Sequence, residues 1–174
     1  MPFTNTQIDI GSLPSISQLD YQGLDKNFLT AELLGLSLFW IFPFTGAVLF
    51  SVFNEIDWPT WLNYVPFALL FILIIISYVW TIKGFKKKEY ALRERDVVYK
   101  SGLVWKRTTV LPFNRIQHAE VEQGPLQRLF QLSQLKVYTA GGSSSDLTIS
   151  GISLEVAQSM KEFILRKTSL NEEE

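Results

Sequence analysis

Two long stretches of hydrophobic residues without a charged side chain dominate the first half of the chain. They run from Leu33 to Phe53 and from Tyr64 to Ile82. As a helix, the second stretch reaches about 28 Å, close to the thickness of the hydrocarbon core of a bilayer. The pattern predicts a transmembrane hairpin at 33–82, with helices at about 33–53 and 64–82. Two buried helices of a soluble protein are the disfavoured alternative.

Charged residues at the ends of these stretches predict the orientation of the hairpin. Four lysines follow the second stretch directly: Lys83, Lys86, Lys87 and Lys88. The loop at 54–63 carries acidic residues but neither lysine nor arginine. Because basic flanks of membrane helices stay in the cytoplasm, we expect the loop outside and both termini inside. The four lysines are also candidate contacts with anionic lipid headgroups at the membrane surface.

The first 32 residues are polar and interrupted by glycine and proline, and they show no sustained hydrophobic period. This texture predicts a loose N-terminal tail at 1–32. A short interfacial helix near Asp25 to Glu32 is expected to lead from this tail into the membrane.

After Lys88 the long hydrophobic runs give way to short segments in which apolar and polar residues alternate, as in β-strands. Within Ile116 to Glu122 the apolar phase slips, as a β-bulge would produce. Ser153 can cap a final amphipathic helix that runs to about Lys167. About six strands followed by one helix predict an α+β domain at 83–168, with an acidic tail at 169–174. The expected strands lie around 90–92, 97–99, 104–111, 116–122, 135–137 and 147–149.

One block of this domain resembles a known family signature. Residues 115–130 read RIQHAEVEQGPLQRLF, which is similar to the signature of the bacterial pleckstrin-homology-like (PH-like) family bPH2, formerly called DUF304. The hairpin at 101–112 and the segments 138–142 and 149–151 resemble the other blocks of that family. The two hydrophobic stretches match its YdbS-like membrane subgroup.

The resemblance implies a PH-like fold, in which a strongly bent antiparallel sheet or partial barrel is capped by the C-terminal helix. It implies no catalytic residue, because the family supplies none to carry over. It also implies a multi-pass protein of the cytoplasmic (inner) membrane of a bacterium. Members of the subgroup often occur beside a larger membrane protein with several PH-like domains, which suggests a partner.

Composition excludes several classes of chemistry. The chain has no cysteine and one histidine, so thiol catalysis, disulfides and multi-histidine metal sites are excluded. The net charge of −1 combines an acidic first half with a basic second half. The basic excess is small and no nucleic-acid-binding motif accompanies it, so we expect no nucleic-acid partner. The sequence shows no pair of carboxylates, and no nucleophile with a base, at a spacing typical of a catalytic site. We therefore expect neither an enzyme nor a cofactor.

The remaining polar candidates all have an ordinary structural interpretation. His118 stands two residues before Glu120 on one strand face, and a structural or solvated histidine is favoured over a pH sensor. The glycine- and serine-rich segment 141–145 lacks the ending of a phosphate-binding loop and is interpreted as a linker. The arginines and lysine of the domain are interpreted as a solvated strand face, with lipid or partner contact as the alternative; these are Lys106, Arg107, Arg115 and Arg128.

These observations lead to one expected function and two alternatives. We expect a membrane-anchored PH-like scaffold that assembles with another membrane protein carrying related domains. The first alternative is a sensor in which the basic face of the domain binds anionic lipid headgroups. The second, suggested by family context alone, is an accessory subunit of an export or envelope-stress system.

Overall fold

A computed structural model describes residues 19–54, 59–139 and 145–172. In these parts of the chain a helical hairpin is followed by two antiparallel sheets and a C-terminal helix. The predicted fold class is therefore confirmed. Most of the predicted tail, part of the loop between the helices and the glycine-rich segment lie outside the described residues, as do the last two residues of the acidic tail.

Helix α1 (Lys26–Phe53) is longer than the hydrophobic stretch that predicts it. Its first turn is capped by the side chain of Asp25, which accepts a hydrogen bond from the backbone N–H of Asn27 at 2.8 Å. With 28 residues, α1 extends over about 42 Å, which exceeds the roughly 30 Å of a hydrocarbon core. The helix is therefore longer than a single span requires, and its first residue, Lys26, lies within the predicted tail.

Helix α2 (Val65–Phe85) follows a short 3-10 helix at Thr60–Tyr64 and packs against α1. Pro66 occupies the first turn of α2, where a missing backbone N–H costs nothing. Both α1 and the segment Thr60–Phe85 are long and apolar enough to cross a membrane. Because α2 ends at Phe85, three residues beyond the predicted end, Lys83 belongs to its last turn.

The first sheet contains four antiparallel strands in sequence order: β1 (Gln22–Gly23), β2 (Glu89–Leu92), β3 (Asp96–Ser101) and β4 (Arg107–Pro112). Strand β4 starts later than the predicted strand at 104–111. The reason is a tight turn at Gly102, whose φ of +99° is in the left-handed region. A Cβ at this position would lie only 1.9 Å from the carbonyl oxygen of Trp105, so the turn requires glycine.

The second sheet contains β5 (Ile116–Glu122), β6 (Leu132–Thr139) and β7 (Leu147–Ser153), again antiparallel and in sequence order. The register between β5 and β6 shifts between Ile116 and His118. This irregularity confirms the predicted β-bulge, which explains why Ile116 is buried out of step with the later residues of the strand.

Two helices complete the domain. Short helix α3 (Pro125–Leu129) follows β5, and α4 (Leu154–Glu172) follows β7. The backbone N–H of Val156 donates to the Ser153 hydroxyl at 3.3 Å, which confirms the predicted cap of α4. Ala157, Met160 and Ile164 are buried on one face of α4 and close the core between the two sheets.

The core of the domain contains residues that precede the hairpin in the sequence as well as residues that follow it. Leu24, Phe28 and Ala31, which precede the first span, belong to the same buried cluster as the strands and α4. Packing of this kind requires the start of α1 to lie against the sheets. A boundary at residue 83 therefore leaves out three core residues of the domain.

Candidate functional site

The first turn of α1 is fixed to the second sheet by a close contact at a glycine. The backbone N–H of Asp25 donates to the carbonyl oxygen of Gly151 at 2.9 Å. A Cβ at Gly151 would lie 2.3 Å from Cγ of Phe28, and the φ of Gly151 is +82°. Only glycine allows both this backbone conformation and this approach of the aromatic ring. We call the contact region around Phe28 and Gly151, together with the charged pair described next, the joint.

The charged pair of the joint connects the start of α1 with the segment that follows α2. The ammonium of Lys88 contacts Oε1 of Glu32 at 2.8 Å, and each side chain is 28% exposed. The same ammonium lies 5.0 Å from the centre of the Phe28 ring, a cation–π distance. The Phe28 ring is in turn 6.4 Å from that of Phe85 at the end of α2. The joint therefore ties both membrane helices to the domain.

Burial around the joint also changes the titration of a neighbouring tyrosine. The pKa of Tyr99 is raised, first by burial of its phenol and second by the negative charge of Glu32. Both causes disfavour the phenolate, so Tyr99 stays neutral.

The four predicted lysines take two different positions. Lys83, Lys86 and Lys87 are exposed at the end of α2, and their contact with lipid headgroups stays a prediction. Lys88 is half-buried, and its ammonium is directed into the joint by Glu32. Lys88 thus contacts this chain's own α1, a role that its position in the sequence did not suggest.

A groove of about 530 Å³ opens beside the joint. Its walls come from three parts of the chain: Phe39 on α1, Trp80 on α2 and Leu103 in the turn after β3. Glu32 and Lys88 line it as well, so the groove combines apolar side chains with a charged pair.

Two polar contacts connect the helices within the hairpin. The hydroxyls of Ser37 and Tyr78 lie 2.6 Å apart, and the indole N–H of Trp40 donates to the Ser77 hydroxyl at 3.0 Å. Hydrogen bonds between membrane helices satisfy polar groups that lipid cannot satisfy. They fix the register of α1 against α2, and with it the position of the joint.

His118 lies on a polar outer surface of the second sheet. Its ring stacks on Tyr138 with ring centres 4.3 Å apart, and its Nε2 is 3.8 Å from a carboxylate oxygen of Glu120. The Tyr138 hydroxyl donates to Glu120 at 3.2 Å, and burial followed by this hydrogen bond raises the pKa of Tyr138. On the same surface the Lys136 ammonium contacts Glu122 at 2.7 Å. The arrangement is a cross-strand ladder on a solvated face.

The other candidates are exposed, and none of them meets His118. Lys106, Arg107, Arg115 and Arg128 all have exposed side chains. The glycine-rich segment falls largely outside the described residues. Within the described parts of the chain, no three acidic or histidine residues form a group that could hold a metal ion. No buried side-chain nitrogen or oxygen there lacks a hydrogen-bond partner.

Three residues of the joint were missed by the sequence analysis: Phe28, Glu32 and Gly151. Phe28 and Ala31 are spaced by three residues, which signals a buried helix face ahead of the membrane stretch. Gly151 falls inside a strand, where glycine often marks a close approach of another group. Glu32 carries no such signal, because its partner Lys88 is far away in the chain.

Comparisons with known proteins agree with this architecture. The family described as Bacterial PH domain (bPH_2) matches residues 28–168, so the match starts at the joint and includes the hairpin. The UPF0699 transmembrane protein YdbS of Bacillus subtilis (strain 168) is 26% identical over 119 residues, which cover 67% of this chain and 72% of YdbS.

A second relative is a longer protein of the same organism. The UPF0699 transmembrane protein YdbT is 26% identical over 110 residues, which cover 63% of this chain but only 22% of YdbT. A solved structure of a DUF1696 family protein with a pleckstrin-homology domain, from Shewanella loihica PV-4, shares 13% identity. It aligns with a TM-score of 0.38 over 48% of this chain and 73% of its own.

Proposed function

The chain belongs to the bacterial PH domain family as a YdbS-like membrane protein, and on that premise we propose that it is a membrane-anchored scaffold. In this proposal the hairpin and its PH-like domain assemble with another membrane protein that carries related domains. The role is binding, without catalysis. Both termini face the cytoplasm, and the membrane is the cytoplasmic membrane of a bacterium.

The joint is the observation that carries the proposal. Phe28 is 8% exposed and belongs to the core of the domain, although it lies on the same continuous helix as the first membrane span. A partner that binds the domain therefore also positions the hairpin, and a partner helix in the membrane also positions the domain. Such mechanical coupling suits a subunit that must present two surfaces to one partner.

Two further observations support a partner of related architecture. YdbT is a transmembrane protein of which the matching region occupies 22%, so a longer membrane protein can contain a region like this chain. Strand β4 lies at the edge of the first sheet and pairs with β3 on one side only among the described residues. An open strand edge can accept a strand from another chain.

The test is co-purification of a tagged full-length chain from membranes in mild detergent. We expect a second membrane protein to be recovered in fixed proportion to the tagged chain. Recovery of this chain alone would contradict the scaffold function.

A substitution on the open edge makes the test specific. Val110→Lys places a charge on β4, where the side chain is 36% exposed, and it should release the partner. The control is Val156→Lys on α4, where the side chain is 39% exposed but belongs to a helix and not to a strand edge. Equal recovery of the partner with both variants would show that β4 is not the binding edge.

Lipid sensing is the second candidate function, and the groove beside the joint favours it. The groove combines apolar walls with the Glu32–Lys88 pair. A sensor should bind anionic lipid more tightly than neutral lipid, in a manner that depends on Lys88. Native mass spectrometry of the full chain with both lipids should show retained anionic lipid, and retention of both lipids to the same extent would contradict sensing.

A further inference from the structure

The most exposed large apolar side chains of the described domain lie on two short segments. Val104 and Trp105, in the loop 102–106 between β3 and β4, are 62% and 88% exposed. Leu129, at the end of α3, is 72% exposed. The other exposed apolar residues of the domain lie between 36% and 39%, so these three are a separate group. We call the loop 102–106 and the helix α3 the two tips.

The first tip lies beside the C-terminal end of α2. Strand β2 starts directly after the lysines of α2, and its first residue, Glu89, pairs with Lys100 near the end of β3. The loop after β3 therefore extends past the level of Glu89, back toward the hairpin. Leu103 and Trp80 line the same groove, which places the loop beside the membrane-spanning part of α2.

The second tip meets the hairpin at the same level on α1. A Cβ at Gly35 would lie 3.6 Å from Cδ1 of Leu126, so α3 packs directly on α1 at this glycine. Gly35 also lines the groove together with Leu103. It lies two residues inside the uncharged stretch that starts at Leu33, which is the boundary between the headgroups and the hydrocarbon core.

Each tip combines an apolar side chain with exposed basic residues. Lys106 and Arg107 follow Trp105, and Arg128 precedes Leu129. Tryptophan is enriched at the membrane–water interface because its ring is apolar while its N–H still finds water or headgroups. Basic residues beside it are complementary to anionic phosphates.

We infer that the two tips insert into the interfacial layer of the same membrane that the hairpin spans, and that they seat the domain on the leaflet. Trp105 and Leu129 enter between the headgroups, while the neighbouring basic side chains contact lipid phosphates. The tight turn at Gly102 holds the first tip in the conformation that exposes Trp105. The inference rests on the membrane hairpin and does not depend on a protein partner.

The absence of cysteine in the chain allows a direct test with single-cysteine variants of the full-length protein. Val104→Cys and Leu129→Cys report on the tips. Glu94→Cys is the matched control, because Glu94 is exposed in the turn at the opposite end of β3, about 20 Å from the loop 102–106. Each variant carries an environment-sensitive fluorophore and is reconstituted into nanodiscs that contain phosphatidylglycerol, whose two faces are both open to solvent.

The expected result separates the tips from the control in two measurements. Quenching by aqueous iodide should be several-fold weaker at the tips than at the control turn, and nitroxides attached near the lipid headgroups should quench only the tips. Equal iodide quenching at all three positions would overturn the inference. Protection from iodide without quenching by the lipid nitroxides would also overturn it, because the tips would then be covered by protein.

A second readout uses the native tryptophan and needs no label. In nanodiscs with brominated lipid, the wild type should lose more emission than Trp105→Phe, by the fraction that Trp105 contributes. If Trp105 stays in water, its unquenched emission will make the fractional loss smaller in the wild type than in Trp105→Phe, and the inference fails.

Discussion

The contact between Phe28 and Gly151 predicts a specific coupling between two substitutions. Gly151→Ala places a methyl group 2.3 Å from Cγ of the Phe28 ring, which is too close for two non-bonded carbon atoms. Phe28→Ala removes the ring that would be struck. Phe28 precedes the hairpin in the sequence and Gly151 follows it, so any coupling between them reports directly on the joint.

The expected magnitudes follow from the structure. Phe28 is 8% exposed, and truncation of a buried Phe to Ala costs about 3–5 kcal/mol. Gly151→Ala costs about 1–2 kcal/mol for the left-handed backbone and about 1–3 kcal/mol for overpacking against the ring. Only the overpacking part depends on the ring. The double variant should therefore lose less stability than the two single losses add up to, by about 1–2 kcal/mol. The difference is smaller than the full overpacking cost because the Cβ of residue 28, at 2.8 Å, remains after Phe28→Ala.

The assay is denaturant unfolding of the domain in the full-length protein, held in detergent micelles and followed by tryptophan emission. Phe39→Ala is the matched control: Phe39 is on the same helix, but it lines the open groove and is 62% exposed. It should leave the free energy of unfolding nearly unchanged.

Two outcomes would refute the reasoning. If Phe28→Ala cost no more than Phe39→Ala, the first turn of α1 would not belong to the core of the domain. If the losses from Phe28→Ala and Gly151→Ala were additive, the ring and the glycine would not be in contact. Either result would also remove the support that the joint gives to the scaffold function.

Three further predictions concern topology, core packing and pH. A cysteine at Thr60 should react with an impermeant thiol reagent in intact cells while one at Glu94 should not, and the reverse pattern would invert the topology. Ile164→Ala should cost about 2–5 kcal/mol in free energy of unfolding because Ile164 is fully buried, whereas Glu162→Ala on the exposed face should be nearly silent; equal small losses would mean that α4 does not close the core. Hydrogen bonds from Thr139 hold the pKa of Asp146 below its ordinary 3.8. The stabilisation that the Asp146 carboxylate provides is therefore complete above pH 3.8 and is lost as the pH falls through the lowered pKa. The stability difference between wild type and Asp146→Ala should therefore narrow below about pH 4, and a difference that is constant with pH would contradict this assignment.

The joint also changes how the domain can be studied in isolation. A fragment that starts at Glu89 would lack Leu24, Phe28 and Ala31, three members of the buried cluster. It would expose the surface of Gly151 that the Phe28 ring covers. Experiments on the domain are therefore designed on the full chain, and the family match from residue 28 onward supports that choice.

The sequence by itself determined the elements that depend on local patterns. Uncharged stretches of membrane length identified both spans, and the alternation of apolar and polar residues identified the six main strands. The slip at Ile116 and the cap at Ser153 are also local, since each depends on residues a few positions apart. The signature at 115–130 identified the family, which the match over residues 28–168 confirms.

Only the tertiary structure decided how these elements meet. Lys88 looks like the other three lysines in the sequence, yet folding brings it to Glu32 and separates its role from theirs. Phe28 reads as part of a tail, because the strands that bury it come after the entire hairpin. No local pattern encodes such pairings, since their members are separated in the sequence by the whole helical hairpin. The start of α1 and the domain become neighbours because α2 packs against α1 and returns the chain to the end at which α1 begins.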